Sequence, residues 1–220
     1  MHQQHIFHYL KWEGCNTDFS WALSASNRIN RLQLSSGREP DQYNLSSTGI
    51  QADAHRSYQA WEFEIGLRAN QTELFGNRLG INFRPLDRVS RSEFHVGAGV
   101  SWHSTIDSSL KEPGRKISLH AGQGIVEGFR PEPQLTFQAQ QLIISRANLY
   151  GFVEGLRGIR YPSFNELYYF AFGNSGLEVE RVWSVQGGFR WSADPNGWAT
   201  VRVAAFSNWT ENKIVSIPIT

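Results

Sequence analysis

The sequence predicts an all-β fold, an antiparallel meander of about ten strands. Three observations carry that expectation. Apolar and polar residues alternate with period two over long stretches. Clusters of Gly, Asn, Asp and Pro punctuate those stretches where the chain must reverse. No segment of useful length follows the 3.6-residue period of a helix.

The alternation is clearest from Phe94 to His103. Phe94, Val96, Ala98, Val100 and Trp102 fall on one face, and His95, Gly97, Gly99, Ser101 and His103 on the other. Trp61, Phe63, Ile65 and Leu67 likewise oppose Glu62, Glu64, Gly66 and Arg68. Ile117, Leu119 and Ala121 oppose Lys116, Ser118 and His120, and Val185, Gly187, Phe189 and Trp191 oppose Ser184, Gln186, Gly188 and Arg190. Ala199, Val201, Val203 and Ala205 oppose Thr200, Arg202 and Ala204. The pattern predicts strands over about 3–13, 19–35, 58–75, 78–84, 92–104, 116–128, 134–144, 148–158, 179–192 and 198–210. Turns are expected at Gly14–Thr17, Gly76-Asn77, Pro113-Gly114, Pro131–Pro133 and Asp194–Gly197.

Composition narrows the function classes. The 220 residues carry a formal net charge of +1, which leaves no electrostatic footprint for nucleic acid. Aromatic residues make up 13 %, with eight Trp, yet mean hydropathy is negative at −0.42. Strands with one apolar and one wet face give that mixture. The single cysteine, Cys15, permits no internal disulfide. No run of 18 apolar residues exists, so no transmembrane helix is expected. Met1 to His5 lack the basic and apolar regions of a signal peptide.

The most specific stretch is Tyr161-Pro162-Ser163-Phe164-Asn165-Glu166-Leu167-Tyr168-Tyr169, followed by Gly173-Asn174-Ser175-Gly176-Leu177-Glu178-Val179-Glu180. It fills a connection of about 20 residues between two strand-like runs, long for a hairpin. The stretch resembles a block of TonB-dependent outer-membrane receptors: Arg-x-Pro-Thr-Phe-Asn-Glu-Leu-Tyr, then Gly-Asn-Pro-x-Leu-x-Pro-Glu. Arg160, Pro162, Phe164, Asn165, Glu166, Leu167, Tyr168, Gly173, Asn174, Leu177 and Glu180 match. Ser163 stands for Thr, and Ser175 and Val179 stand where Pro is usual.

The resemblance implies an incomplete slice of a transmembrane 22-stranded β-barrel. It implies that residues 1–220 are part of the barrel, without plug domain, signal peptide or barrel C-terminus. It further implies import of a scarce nutrient of the siderophore, cobalamin, haem or glycan class. The expected partners are that small ligand at the outer loops, outer-membrane lipid, and TonB through a plug domain. The expected location is the outer membrane of a Gram-negative bacterium, and no cofactor is expected. Such barrels have short periplasmic turns and longer outer loops. Ala193–Gly197, Ser145–Asn148 and Gly76-Asn77 therefore read as periplasmic, and Ile159–Glu178 and Ser36–Ser57 as extracellular. Thr105–Arg115 is long for a periplasmic turn, and Phe129–Pro133 short for an outer loop. Trp61, Trp102, Trp183, Trp191, Trp198 and Trp209 lie near strand ends, where an aromatic girdle would sit.

No catalytic signature is present: no Gly-x-Ser-x-Gly elbow, His-Glu-x-x-His, phosphate loop or cysteine metal spacing. The chain reads as a non-enzyme. His2, His5 and His8 do not share one strand face, and His95 and His103 lie about 27 Å apart along a strand, so no metal site is expected. Glu62, Glu64 and Arg68, with Glu154 and Arg157, are expected to line the wet face. Within the long connection, Pro162 to Leu167 are expected to tie strand ends together, with Phe164 and Leu167 packed inward. Gly173, Asn174, Leu177 and Glu180 complete that structural motif. Tyr168, Tyr169, Phe170 and Phe172 are the candidates for ligand contact, since aromatic bodies with polar tips make adaptable contacts. The competing reading is a soluble β-sandwich carbohydrate-binding module. A further one is an outer-membrane enzyme on a smaller barrel.

Overall fold

The computed structural model describes residues 2–34, 41–81, 84–104, 114–169, 173–193 and 199–215. They form one ten-stranded sheet in strict sequence order, with every neighbouring pair antiparallel. The strands are β1 (His2–Cys15), β2 (Phe19–Leu34), β3 (Asp41–Tyr58), β4 (Trp61–Ile81), β5 (Arg84–His103), β6 (Arg115–Val126), β7 (Glu132–Ile144), β8 (Leu149–Arg160), β9 (Glu180–Ser192) and β10 (Thr200–Glu211). A short 3₁₀ turn, Ser145–Ala147, links β7 to β8, and a five-residue helix, α1 (Phe164–Tyr168), sits between β8 and β9. Among the described residues β1 and β10 each pair on one side only, so the sheet is open.

The strand count matches the expectation, but two elements differ. Ser36–Ser57 is not a loop: from Asp41 onward it is β3, paired along its length with β2 and β4. Its first half is polar on the face where Ile50, Ala52 and Ala54 follow, so the alternating run is too short to stand out. The backbone ladders on either side hold it regardless. Gly76-Asn77 is not a turn: it lies within β4, which joins most of the two expected strands and shifts register in its pairing with β5 between Phe75 and Leu79. The two errors cancel in the count. The connection 105–113, Trp198 and the predicted turn at 194–197 lie outside the described residues.

Antiparallel partners share a face, so register sorts the side chains. Trp61 pairs with Trp102, Ile65 with Ala98, and Leu67 with Val96, placing the apolar series together. Among the described residues no second layer covers that face: Phe63 is 46 %, Ile65 50 % and Leu119 48 % exposed. Trp12, Trp21, Trp61, Trp102 and Trp191 stand toward its short-turn end, and Trp183 pairs with Trp209 toward the other. The opposite face carries Glu64, Arg68, His95, Ser101, Ser118 and His120. There Ser101 donates to Ser118 at 2.8 Å, and Glu64 meets His120 at 2.5 Å. Gly99 lies between that last pair, and a Cβ there would fall 2.6 Å from Glu64 and 2.5 Å from His120.

Arg157 departs from the expected polar face. Residues three apart on a strand project oppositely, so it does not join Glu154. It stands opposite Leu135 and Trp183, its guanidinium 5.4 Å from the Trp183 ring centroid, and it pairs with Glu132 at 2.7 Å. Arg181 reaches the same carboxylate at 2.6 Å.

A candidate ligand cleft beneath the β8–β9 connection

The β8–β9 connection returns over the polar face instead of looping outward. Ser163 caps α1 in a full capping box: its hydroxyl accepts from Glu166 N at 3.4 Å, and the Glu166 carboxylate accepts from Ser163 N at 2.7 Å. Reciprocal capping satisfies two backbone donors that a single-turn helix would otherwise leave open. Arg160 bonds the same carboxylate at 2.5 Å and Glu180 at 3.5 Å. Two motif carboxylates, Glu166 and Glu180, therefore meet at the Arg160 guanidinium. Burial pushes the Glu166 carboxyl up, but the Arg160 hydrogen bond and the Ser163 donors outweigh it and hold it below its ordinary value.

The rest of the motif closes the segment. Asn174 N donates to Glu166 O at 2.7 Å, and Gly176 N donates to the Asn174 side chain at 2.9 Å. Gly173 N donates to Tyr169 O at 2.6 Å. A Cβ at Gly173 would lie 2.6 Å from Tyr169 N and 2.7 Å from Tyr169 O, so the chain closes there only without a side chain. Leu177 N donates to Asn174 O at 3.3 Å. Glu180 also accepts from Ile214 N at 3.1 Å, tying the strand start to the chain after β10.

Docking is apolar at the centre and polar at the margins. Phe164 is 7 % and Leu167 3 % exposed. Phe164 packs with Tyr43, Leu74 and Leu79, flanked by Leu45, Leu86, Val89, Tyr168 and Tyr169. Leu79 and Tyr169 form an isolated antiparallel bridge. Arg91 donates to Pro162 O at 2.7 Å, and its guanidinium lies 4.8 Å from the Phe164 ring centroid. Tyr161 donates to Gly124 O at 3.0 Å, and its ring meets Phe129 edge-on at 5.6 Å. The segment thus crosses the end of the β6–β7 hairpin to reach β4 and β5. That route accounts for the short Phe129–Pro133 connection, since a longer loop would occupy the space the segment fills.

A cleft of about 460 Å³ opens between the segment and the polar face of β1 to β5. His5, Asn30, Thr72, Arg91, Asn165 and Tyr169 line it, over Phe164 and Tyr43. Of the predicted ligand contacts, Tyr169 reaches the cleft. Tyr168 packs against Phe164 with ring centroids 6.1 Å apart. Phe170 and Phe172 lie outside the described residues. Sequence reasoning missed Asn30, Thr72 and Arg91, which come from strands remote in sequence. The one legible signal was Leu74, an apolar residue in register with the polar face of β4. Among the described residues no group of three His, Cys, Asp or Glu side chains could hold a metal ion.

Residues 16–220 match the family model described as TonB dependent receptor-like, beta-barrel. The chain belongs to the TonB-dependent receptor family. Family members of this kind are transport receptors of the Gram-negative outer membrane, not a class of enzymes. The receptor chain is similar in fold to the siderophore receptor PirA from Pseudomonas aeruginosa, with a TM-score of 0.63 and 12 % identity over 94 % of this chain. It is similar also to the copper transporter OprC, with a TM-score of 0.62 and 10 % identity over 86 % of this chain. It spans 45 % and 38 % of those two chains, respectively. No curated protein matches it. The soluble-module reading is not favoured, given the family match and an apolar face that meets no second layer among the described residues.

Proposed function

We propose that this chain is part of the wall of a TonB-dependent importer, set in the outer membrane and closed into a barrel by further strands. The uncovered apolar face with tryptophans toward its ends carries this reading. Alternate residues facing lipid and a wet lumen account for both faces at once, whereas a soluble protein exposing so large an apolar surface would associate. The β8–β9 segment lies at the outer end. The cleft beneath it captures a small nutrient, with Tyr169 among its contacts. A plug domain elsewhere in the receptor fills the lumen and receives energy through TonB. The wall supplies no bond-making chemistry.

The test is membrane insertion. Unpaired edge N–H and C=O groups are not tolerated in lipid. Residues 1–220 expressed alone are expected to stay protease-sensitive and to transport nothing. The whole receptor is expected to insert as a heat-modifiable, protease-resistant barrel. A resistant barrel formed by residues 1–220 alone would overturn the reading.

A further inference from the structure

Toward its outer end the apolar face changes chemistry within one rung. Leu10, Ala25, Ile50, Ala69, Phe94 and Ile125 stand side by side in register across β1 to β6. Two residues further out on the same face, the next rung is His8, Asn27, Thr48, Gln71 and Ser92. Asn27 donates to Thr48 at 2.9 Å, and Ser92 donates to Gln71 at 2.6 Å. Glu127, just past β6, accepts from Ser92 N at 3.0 Å. The border between the two rungs is hollow. Ala69 offers only a methyl group between Ile50 and Phe94, which are 59 % and 42 % exposed. A groove of about 600 Å³ lies there, with Ile50, Phe94 and Ile125 at one end and Gln71, Ser92 and Glu127 at the other. It opens on the face opposite the cleft beneath the β8–β9 segment.

The two ends of the groove ask for an amphiphile. Its apolar end continues the face that meets lipid, so an acyl chain lies on Ile50, Ala69 and Phe94 without a break in the apolar surface. Its polar end selects among headgroups. Anionic headgroups are held by clustered lysine and arginine. Neither rung carries one. Arg31 and Arg88 stand two rungs beyond Asn27 and Ser92, about 13 Å along the strands. Glu73 already engages Arg88. Glu127, at the polar end itself, repels a phosphate. What the rung does offer is neutral hydrogen bonding. Thr48 keeps its hydroxyl proton and Gln71 its amide protons to donate, and Asn27 and Glu127 keep oxygens to accept. Such a set suits hydroxyl groups, each of which donates and accepts.

We propose that this groove seats one membrane lipid, a glycolipid whose uncharged headgroup presents hydroxyls to the polar rung while an acyl chain fills the hollow at Ala69. The inference rests on the importer reading above, which turns this face to the bilayer. It is tested on the whole receptor in phosphatidylcholine vesicles that hold equal amounts of diglucosyldiacylglycerol and phosphatidylglycerol. Native mass spectrometry counts the lipids the receptor retains on release. Diglucosyldiacylglycerol is expected to be retained over phosphatidylglycerol by about fivefold or more. Ala69→Trp fills the hollow with a side chain that membrane interfaces accept, and should abolish that preference. Ala121→Trp, on the same face but outside the groove, should leave it within about twofold. The Thr48→Ala, Gln71→Ala double variant should bring the ratio of the two lipids to about one, since it removes the donors and leaves the acyl bed. Equal retention by the unaltered receptor, or retention of phosphatidylglycerol in preference, overturns the headgroup class. A preference that survives Ala69→Trp overturns the location. A dimer that Ala69→Trp dissociates overturns the lipid altogether, because a second copy then covers the groove. Heat modifiability reports insertion separately. Each of those results leaves the importer reading standing, whereas a receptor that fails to insert sinks both.

Discussion

The two ends of the polar face are built by different physics. Toward the short-turn end it is one layer thick, and its residues meet water, glycine and one another, as Glu64 and His120 do across Gly99. Toward the other end the β8–β9 segment adds a second layer, and there alone Tyr43, Leu74, Leu79 and Phe164 form a buried core among the described residues. Where the chain returns over itself burial supplies side-chain stability to a cluster, whereas toward the short-turn end Tyr150 is buried under Arg190. Elsewhere the ladders hold the sheet, and lipid would cover its apolar side. The second layer should therefore be removable without dissolving the first.

Phe164→Ala gives the largest expected effect. Removing a ring that is 7 % exposed should cost about 3–5 kcal/mol of docking energy for the segment. Amide exchange and protease cutting should rise within residues 161–180 of the whole receptor, while heat modifiability stays unchanged. Loss of the barrel itself would break the comparison, because it would make the second layer essential to the first.

Val96→Arg probes the single-layered part. Val96 is 37 % exposed on the apolar face, beside Leu67. Arginine on a lipid-facing strand position should destabilise the barrel by about 2–4 kcal/mol near the bilayer midplane. Gln138→Arg, on the polar face opposite Ser118, should stay within about 0.5 kcal/mol. Urea titration of the inserted receptor in vesicles measures both. Equal costs would mean that the apolar face does not meet lipid.

The contrast also explains which parts of the fold were legible. Single-layer wall repeats every two residues, so β5, β6 and β9 could be read from their own side chains. β3 was harder to read, because Asn44, Ser46 and Thr48 make its apolar face polar over the first half and leave only the short Ile50, Ala52, Ala54 series, so its identity lies largely in its neighbours' ladders. Gly76-Asn77 has the composition of a turn, yet Gly76 pairs with Tyr43 and the Asn77 side chain accepts from Gln42 N at 3.0 Å, which keeps β4 running past it. The motif marked where the second layer begins, since Ser163, Glu166 and Gly173 each solve a local backbone problem. Its docking partners Leu79 and Arg91 lie about 70 or more residues upstream, where no local pattern could announce them. Arg157 was misread for a simpler reason: three residues from Glu154 is an odd step along a strand.

Gly173→Ala should sharpen the comparison at lower cost. The added methyl would sit 2.6 Å from Tyr169 N and 2.9 Å from the Leu167 carbonyl carbon, which are backbone atoms that cannot swing aside. About 1–3 kcal/mol is expected, confined to the segment. Cargo affinity should fall with it if Tyr169 contacts the ligand, because Gly173 closes on the Tyr169 carbonyl.

The smallest effect is electrostatic and depends on acid. The Glu166 carboxyl is held below its ordinary value, so the folded segment binds its proton less readily than the unfolded chain does. Its contribution is therefore complete above the ordinary carboxylate range and is lost as pH falls through the lowered value. Arg160 is 46 % exposed at the side chain, which screens the pair and limits the contribution to about 1 kcal/mol or less. Protease cutting at the segment should be flat from about pH 5 to about pH 8 and rise below about pH 4. Glu166→Gln keeps the size of the side chain but gives up the charge. It should raise cutting modestly at neutral pH and flatten the acid rise. An acid rise that persists in Glu166→Gln would place the sensitive group elsewhere and remove Glu166 from the account.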